Sequence, residues 1–122
     1  MKRLMIALMT TLLGVISADL GRAEAAQSSV DSGKSLALLV CSYCHVVSPE
    51  QVVLPKLASI QRTPSFEEIA NNPKTTARSL RSFITTTHWD EKTLPMTMPN
   101  PLLMDEQRDD VVRYILSLRK HR

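Results

Sequence analysis

The sequence predicts an all-α fold of about four short helices, and three observations lead to it. Apolar residues recur at the i, i+3, i+4 spacing of one helix face in several separate segments. Strand signals are scarce. Prolines such as Pro49, Pro55, Pro73, Pro95, Pro99 and Pro101 fall between the periodic segments, where they cannot interrupt a helix.

The first segment reads as a leader. Met1, Lys2 and Arg3 give a basic start, Leu4 to Ile16 is uncharged and largely apolar, and Ala23-Glu24-Ala25 fits the small-x-small pattern of signal-peptide cleavage. An uncleaved membrane anchor is the rival reading. The apolar run is shorter than the roughly 20 residues a spanning helix needs, and Asp19, Arg22 and Glu24 do not extend it. The expectation is a signal peptide over residues 1–25, cleaved after Ala25 or Ala26. A single mature domain then covers residues 26–122, in the periplasm.

In that domain Ser28 to Ser32 reads as polar and turn-like, with Asp31 or Ser32 as the N-cap of a helix from Gly33. Leu36, Leu39 and Val40 form its apolar stripe, which leads into Cys41-Ser42-Tyr43-Cys44-His45. Val46 to Thr63 reads as an irregular loop. Ser65-Phe66-Glu67-Glu68 is a capping-box pattern that opens a short helix, ended by Asn71-Asn72-Pro73. Thr75 or Thr76 can cap the next helix, with Ala77, Leu80, Phe83 and Ile84 at helical spacing and an end near Thr86. His88 to Pro101 is non-helical. The last helix runs from about Asp105 to Arg119, with Val111, Tyr114, Ile115 and Leu118 on one stripe.

The charge balance excludes some roles. The 122 residues carry a formal net charge of +3, and removal of Lys2, Arg3, Arg22, Asp19 and Glu24 leaves the mature chain only mildly positive. No basic stripe interleaved with aromatics is present, so nucleic acid is not an expected partner. The basic end, Arg119-Lys120-His121-Arg122, reads as a solvated tail complementing a helix dipole. A domain this small builds a modest core, and a bridge between Cys41 and Cys44 would close too short a loop to help much.

The cysteines point to what fills that core. Two thiols three residues apart beside a helix end can reach the two vinyl groups on one porphyrin edge, and a directly following histidine can place an imidazole under the iron. Cys41-x-x-Cys44-His45 is therefore read as a c-type haem attachment motif. Its rivals are a thioredoxin-like dithiol, which needs βαβ units this sequence lacks, a zinc site, which needs a fourth protein ligand, and a structural disulfide. The candidates opposite His45 are Met98, Met96, Met104, His88 and His121. A thioether raises the reduction potential relative to a second histidine, and Met98 stands in a loop stiffened by Pro95 and Pro99. Met98 is the first choice, with Met96 and His88 kept as alternatives.

These residues resemble the monohaem class I cytochrome c family of bacterial periplasms. Gly33-Lys34-Ser35-Leu36-Ala37 before the Cys41–His45 motif looks like that family's first helix. Thr97-Met98-Pro99-Asn100-Pro101 is similar to its ligand loop, and Asp105 to Leu118 to its closing helix. The resemblance implies a small cytochrome c-like fold around one covalent haem, with His45 and Met98 as axial ligands. It implies that the first and last helices cross at Gly33, with Tyr114 packed there. It also implies that Pro55 supplies the carbonyl that accepts a hydrogen bond from the proximal imidazole. Val46 stands where a glycine is common, and Met104 where Ser or Thr usually caps, so Asp105 is expected to take over the cap.

The implied role is one-electron transfer without enzymatic catalysis, with Leu36, Leu39, Phe83, Val111, Tyr114 and Ile115 around the haem and in the core. Redox proteins are the expected partners, in transient contact. Two other roles remain open at this point. One is the cytochrome subunit of a periplasmic dehydrogenase or oxidase complex, and the other a haem-based ligand-binding or sensing protein with an open sixth position.

Overall fold

The computed structural model describes residues 2–53, 55, 63–86, 98 and 100–120, with side chains described from residue 21 onward. Four helices lie in this part: α1 (Lys2–Val40), α2 (Phe66–Asn71), α3 (Ala77–Thr86) and α4 (Asp105–Ser117). Among the described residues there is no strand. Helix α4 is the centre of the packing. It lies chiefly against α1, and α3 and α2 also pack on it.

Helix α1 departs from the sequence expectation at its start. Ser28 to Ser32, read as a turn with a cap at Asp31 or Ser32, is helical throughout. Tertiary contacts explain this. Ser29 Oγ donates to Asp110 Oδ1 at 2.5 Å and accepts from Arg113 Nη1 at 2.7 Å, while Val30 packs against the core. Such contacts override a weak local propensity.

The buried face of α1 also differs from the expected Leu36–Leu39–Val40 stripe. Gly33 and Ala37 are buried and Cys41 packs against the core, whereas Leu39 is 83% exposed. The crossing selects small residues, not large ones. A Cβ at Gly33 would lie 2.5 Å from the carbonyl carbon of Asp110 and 2.9 Å from Tyr114 Cβ. The expected close approach at Gly33 is therefore present, with Tyr114 on its far side.

The short helices follow their local signals. Ser65 caps α2: its hydroxyl accepts from Glu68 N–H at 3.1 Å, and the Glu68 carboxylate accepts from Ser65 N–H at 2.7 Å. Thr76 opens α3, accepting from Ser79 N–H at 3.1 Å while Ser79 Oγ accepts from Thr76 N–H at 2.9 Å. At α4 the residue before the helix is Met104, and Gln107 Oε1 accepts from its N–H at 3.0 Å. Asp105 is not the cap. It begins the helix and pairs with Arg108.

The start of the basic tail is exposed, as expected of a solvated tail, yet it is also tied down. Arg119 donates from Nε to Ala70 O at 3.0 Å and from Nη2 to Thr75 O at 2.8 Å. Lys120 pairs with Glu67 at 2.6 Å, and its N–H donates to Asn71 Oδ1 at 2.9 Å. Arg119 thereby satisfies a carbonyl that the end of α2 leaves without a helical partner.

The core is Ala37, Val47, Phe66, Ala70, Leu80, Ile84, Val111, Val112, Tyr114 and Ile115. Val111, Tyr114 and Ile115 are where the sequence put them, and Leu36 is partly buried. Leu39 and Phe83, expected around the haem or in the core, are exposed and so are not part of the protein core. Leu39 sits two positions past buried Ala37, hence on the opposite side of a helix with 3.6 residues per turn.

Candidate functional site

The end of α1 builds the site. Cys41 N–H still donates to Ala37 O at 2.8 Å, after which the chain turns tightly: Cys44 N–H and His45 N–H both donate to Cys41 O, at 3.1 and 2.9 Å. One carbonyl thus holds both ends of the pentapeptide. Cys41 and Cys44 are half-buried free thiols, and His45 is buried.

Burial pushes the Cys41 thiol up to about 11, with the neighbouring Cys44 adding to the effect. That is the reverse of what a dithiol oxidoreductase needs, since its attacking cysteine is activated by a depressed value. Nor do three or more His, Cys, Asp or Glu side chains converge on a cation-sized space among the described residues. Neither the redox-dithiol nor the zinc reading draws support from the described residues.

His45 is held by an acceptor the sequence did not single out. Its Nδ1 lies 2.7 Å from the carbonyl oxygen of Pro64, which can only accept, so the proton sits on Nδ1. The expected partner, Pro55, is buried but is not the residue that meets the imidazole. The reason is a second bond one step along: Phe66 N–H donates to Val46 O at 2.9 Å and lays residues 64–66 beside 45–47. Ser65 is extended (φ −67°, ψ 159°), so the preceding Pro64 carbonyl lies outside the helix ladder and is available. Burial lowers the His45 pKa below the usual imidazole value, opposed by the Pro64 bond. The ring is neutral at neutral pH and keeps the Nε2 lone pair for a metal.

Behind His45 stands an aromatic column. The Phe66 ring is 5.5 Å from the imidazole and 6.3 Å from Tyr114, each pair tilted by 53°. Tyr114 is kept protonated by burial and donates from its hydroxyl to Val47 O at 2.9 Å. The loop after the motif braces itself: Gln51 Oε1 accepts from Val47 N–H at 2.9 Å and Gln51 Nε2 donates to Val53 O at 2.8 Å. Lys34 of α1 ties Glu50 to the helix at 3.4 Å. Phe66 could have been suspected from the sequence as the one large apolar residue in the first turn of α2. Nothing local marks Pro64 above Pro55.

Of the residues proposed for the opposite side, Met98 is half-buried. Met96, His88 and His121 lie outside the described residues. Met104 is exposed just before α4 and is no candidate for a buried ligand. Between Met98 and α4, Asn100 Oδ1 accepts from Leu102 N–H at 2.9 Å, and Leu102 takes a left-handed φ of 53°.

The donor set fits a covalently attached haem on the chain's own geometry: two reduced thiols, and an imidazole whose tautomer is fixed with Nε2 available. The model of the family described as Cytochrome c matches residues 30–119. Comparison with curated proteins and with solved structures gives no match.

Proposed function

Since the chain belongs to the cytochrome c family of haem c electron carriers, we propose that it is an exported, periplasmic one-electron carrier with His45 and Met98 as axial ligands. Covalent haem c supplies a one-electron iron couple when bound. The chain's residues do the rest. Cys41 and Cys44 form the two thioethers, and His45 presents Nε2 while the Pro64 carbonyl holds its Nδ1–H. Such a contact orients the ring and increases its basicity. The observation that carries this reading is that 2.7 Å bond, next to two unbridged thiols.

Met98 supports the distal role by its partial burial and its nearness to His45. As a soft, neutral thioether it favours the reduced state relative to a second histidine. Export is supported by the sequence of residues 1–25. It is also compatible with the packing, because the side chains of residues 21–28 are exposed, whereas Ser29 is hydrogen-bonded to Asp110 of α4. No helix among the described residues is long and apolar enough to cross a membrane. Redox proteins are the partners, met in brief contacts.

A second reading, a subunit of a dehydrogenase or oxidase complex, draws on one observation. Leu38, Leu39, Val40 and Tyr43 form an exposed apolar run around the motif, and such surfaces often mark lasting interfaces. Purification from the native host decides between them: a free monomer supports the carrier, and stable co-purification with a dehydrogenase supports the subunit.

The ligation is tested by visible spectra of the holoprotein. A sulfur-to-iron charge-transfer band is expected in the oxidised form and lost in Met98→Ala, with a lower midpoint potential and new binding of carbon monoxide. Carbon monoxide binding to the unaltered ferrous protein would instead favour a ligand-binding or sensing role.

A further inference from the structure

Pro64 and Ser65 share one peptide unit, and both of its polar atoms are used. Its carbonyl oxygen accepts from His45 Nδ1 at 2.7 Å. Its N–H donates to the Glu68 carboxylate, also at 2.7 Å. The same carboxylate oxygen accepts from Ser65 Oγ at 2.8 Å. A negative charge on the outer surface is therefore joined to the buried imidazole through a single planar amide.

We propose that Glu68 is a positioning residue for the haem site, acting through the Ser65–Pro64 peptide to strengthen the hydrogen bond on His45 and so lower the reduction potential. This rests on His45 being the proximal ligand, as proposed above. The physical basis is polarisation along a hydrogen-bond chain. A carboxylate accepting from an amide N–H draws positive charge toward that end and leaves the carbonyl oxygen more negative. Bonds to a charged acceptor are roughly twice as strong as neutral ones. A more negative Pro64 oxygen pulls harder on the Nδ1 proton, which makes Nε2 a better donor and favours the ferric state. The hydrogen bonds from Ser65 hold the Glu68 carboxyl below the usual carboxylate range, so it is ionised at neutral pH.

The relay bond is one half of the capping box, so variants must separate the two roles. The other half runs from Glu68 N–H to Ser65 Oγ at 3.1 Å. The relay runs through Ser65 N–H, which every residue but proline possesses. Ser65→Ala removes the hydroxyl, with its cap bond and its bond to Glu68, but keeps the amide relay and the larger of the two bonds that hold Glu68 ionised, whereas Glu68→Gln keeps an acceptor oxygen for the amide and removes the charge. Glu67 is the neighbouring carboxylate, paired with Lys120 at 2.6 Å and not joined to the peptide.

The test is the midpoint potential of the holoprotein at low and high salt, with thermal stability measured on the same samples. Glu68→Gln is expected to raise the potential at both salt concentrations with little change in melting temperature. Ser65→Ala is expected to lower the melting temperature and leave the potential where it was. Glu67→Gln controls for a bare surface charge, whose effect fades once the Debye length shrinks at high salt. The Ser65 amide proton and the His45 Nδ1 proton should both move in the NMR spectrum of Glu68→Gln. An unchanged potential in Glu68→Gln overturns the relay, as does a shift matched by Glu67→Gln. Absence of covalent haem from the unaltered protein would instead be a failure of the haem reading itself, visible before any variant is made.

Discussion

Replacing Gly33 by alanine tests the helix crossing on which the site stands. Taken alone, the change should help, because alanine is favoured over glycine in a helix interior by about 1 kcal/mol. The structure reverses the sign. The new methyl would sit 2.5 Å from the Asp110 carbonyl carbon and 2.9 Å from Tyr114 Cβ, where non-bonded carbons settle at about 3.5–4.0 Å. Neither obstacle can rotate away, since one is α4 backbone and the other the first atom of a buried side chain. The helices must part by about 1 Å, which loosens the core that Ala37 shares with Val111, Tyr114 and Ile115. Overpacking of this kind costs about 1–3 kcal/mol, and a backbone obstacle puts it at the upper end. The net loss is about 2 kcal/mol after the propensity gain. For a domain of this size that lowers Tm by about 8–16 °C, read by circular dichroism on the holoprotein. A Tm equal to or above that of the unaltered protein would show that α1 and α4 do not meet closely at Gly33.

Two further predictions come from the same structure. Tyr114→Phe leaves the Val47 carbonyl without its buried donor and is expected to cost about 1–3 kcal/mol in denaturant titration, with the haem spectrum retained. Asp109 is held below the usual carboxylate range by Arg81 beside it. It therefore favours the folded state above its unfolded pKa, and that contribution is lost as pH falls through the lower folded value. Asp109→Asn should flatten the acid side of the stability–pH curve at low salt, and an unaltered acid limb would mean the pair contributes nothing.

The readable features were those coded over a few neighbouring residues. Cys41-x-x-Cys44-His45 carries its chemistry in its spacing, and Ser65 with Glu68 announces the start of α2. The close approach at Gly33 was legible through the family resemblance, which implies a crossing of the first and last helices there. What failed depended on the other side of a contact. The polar stretch Ser28–Ser32 is helical because Asp110 and Arg113 hold Ser29. Large Leu39 is outside and small Ala37 inside because Ala37, one turn after Gly33, shares the face on which Gly33 meets α4. Pro55 and Pro64 look alike in sequence. Only the pairing of Phe66 with Val46 decides which of them reaches His45.

The central claim, covalent haem on Cys41 and Cys44, is tested most directly by the mass of the denatured protein. The chain is to be produced in a host that attaches c-type haem, alongside a variant with both cysteines changed to alanine. The expected result is the polypeptide plus one haem for the unaltered chain, and the bare polypeptide for the variant. A bare polypeptide from the unaltered chain, or a retained haem in the variant, would contradict the account.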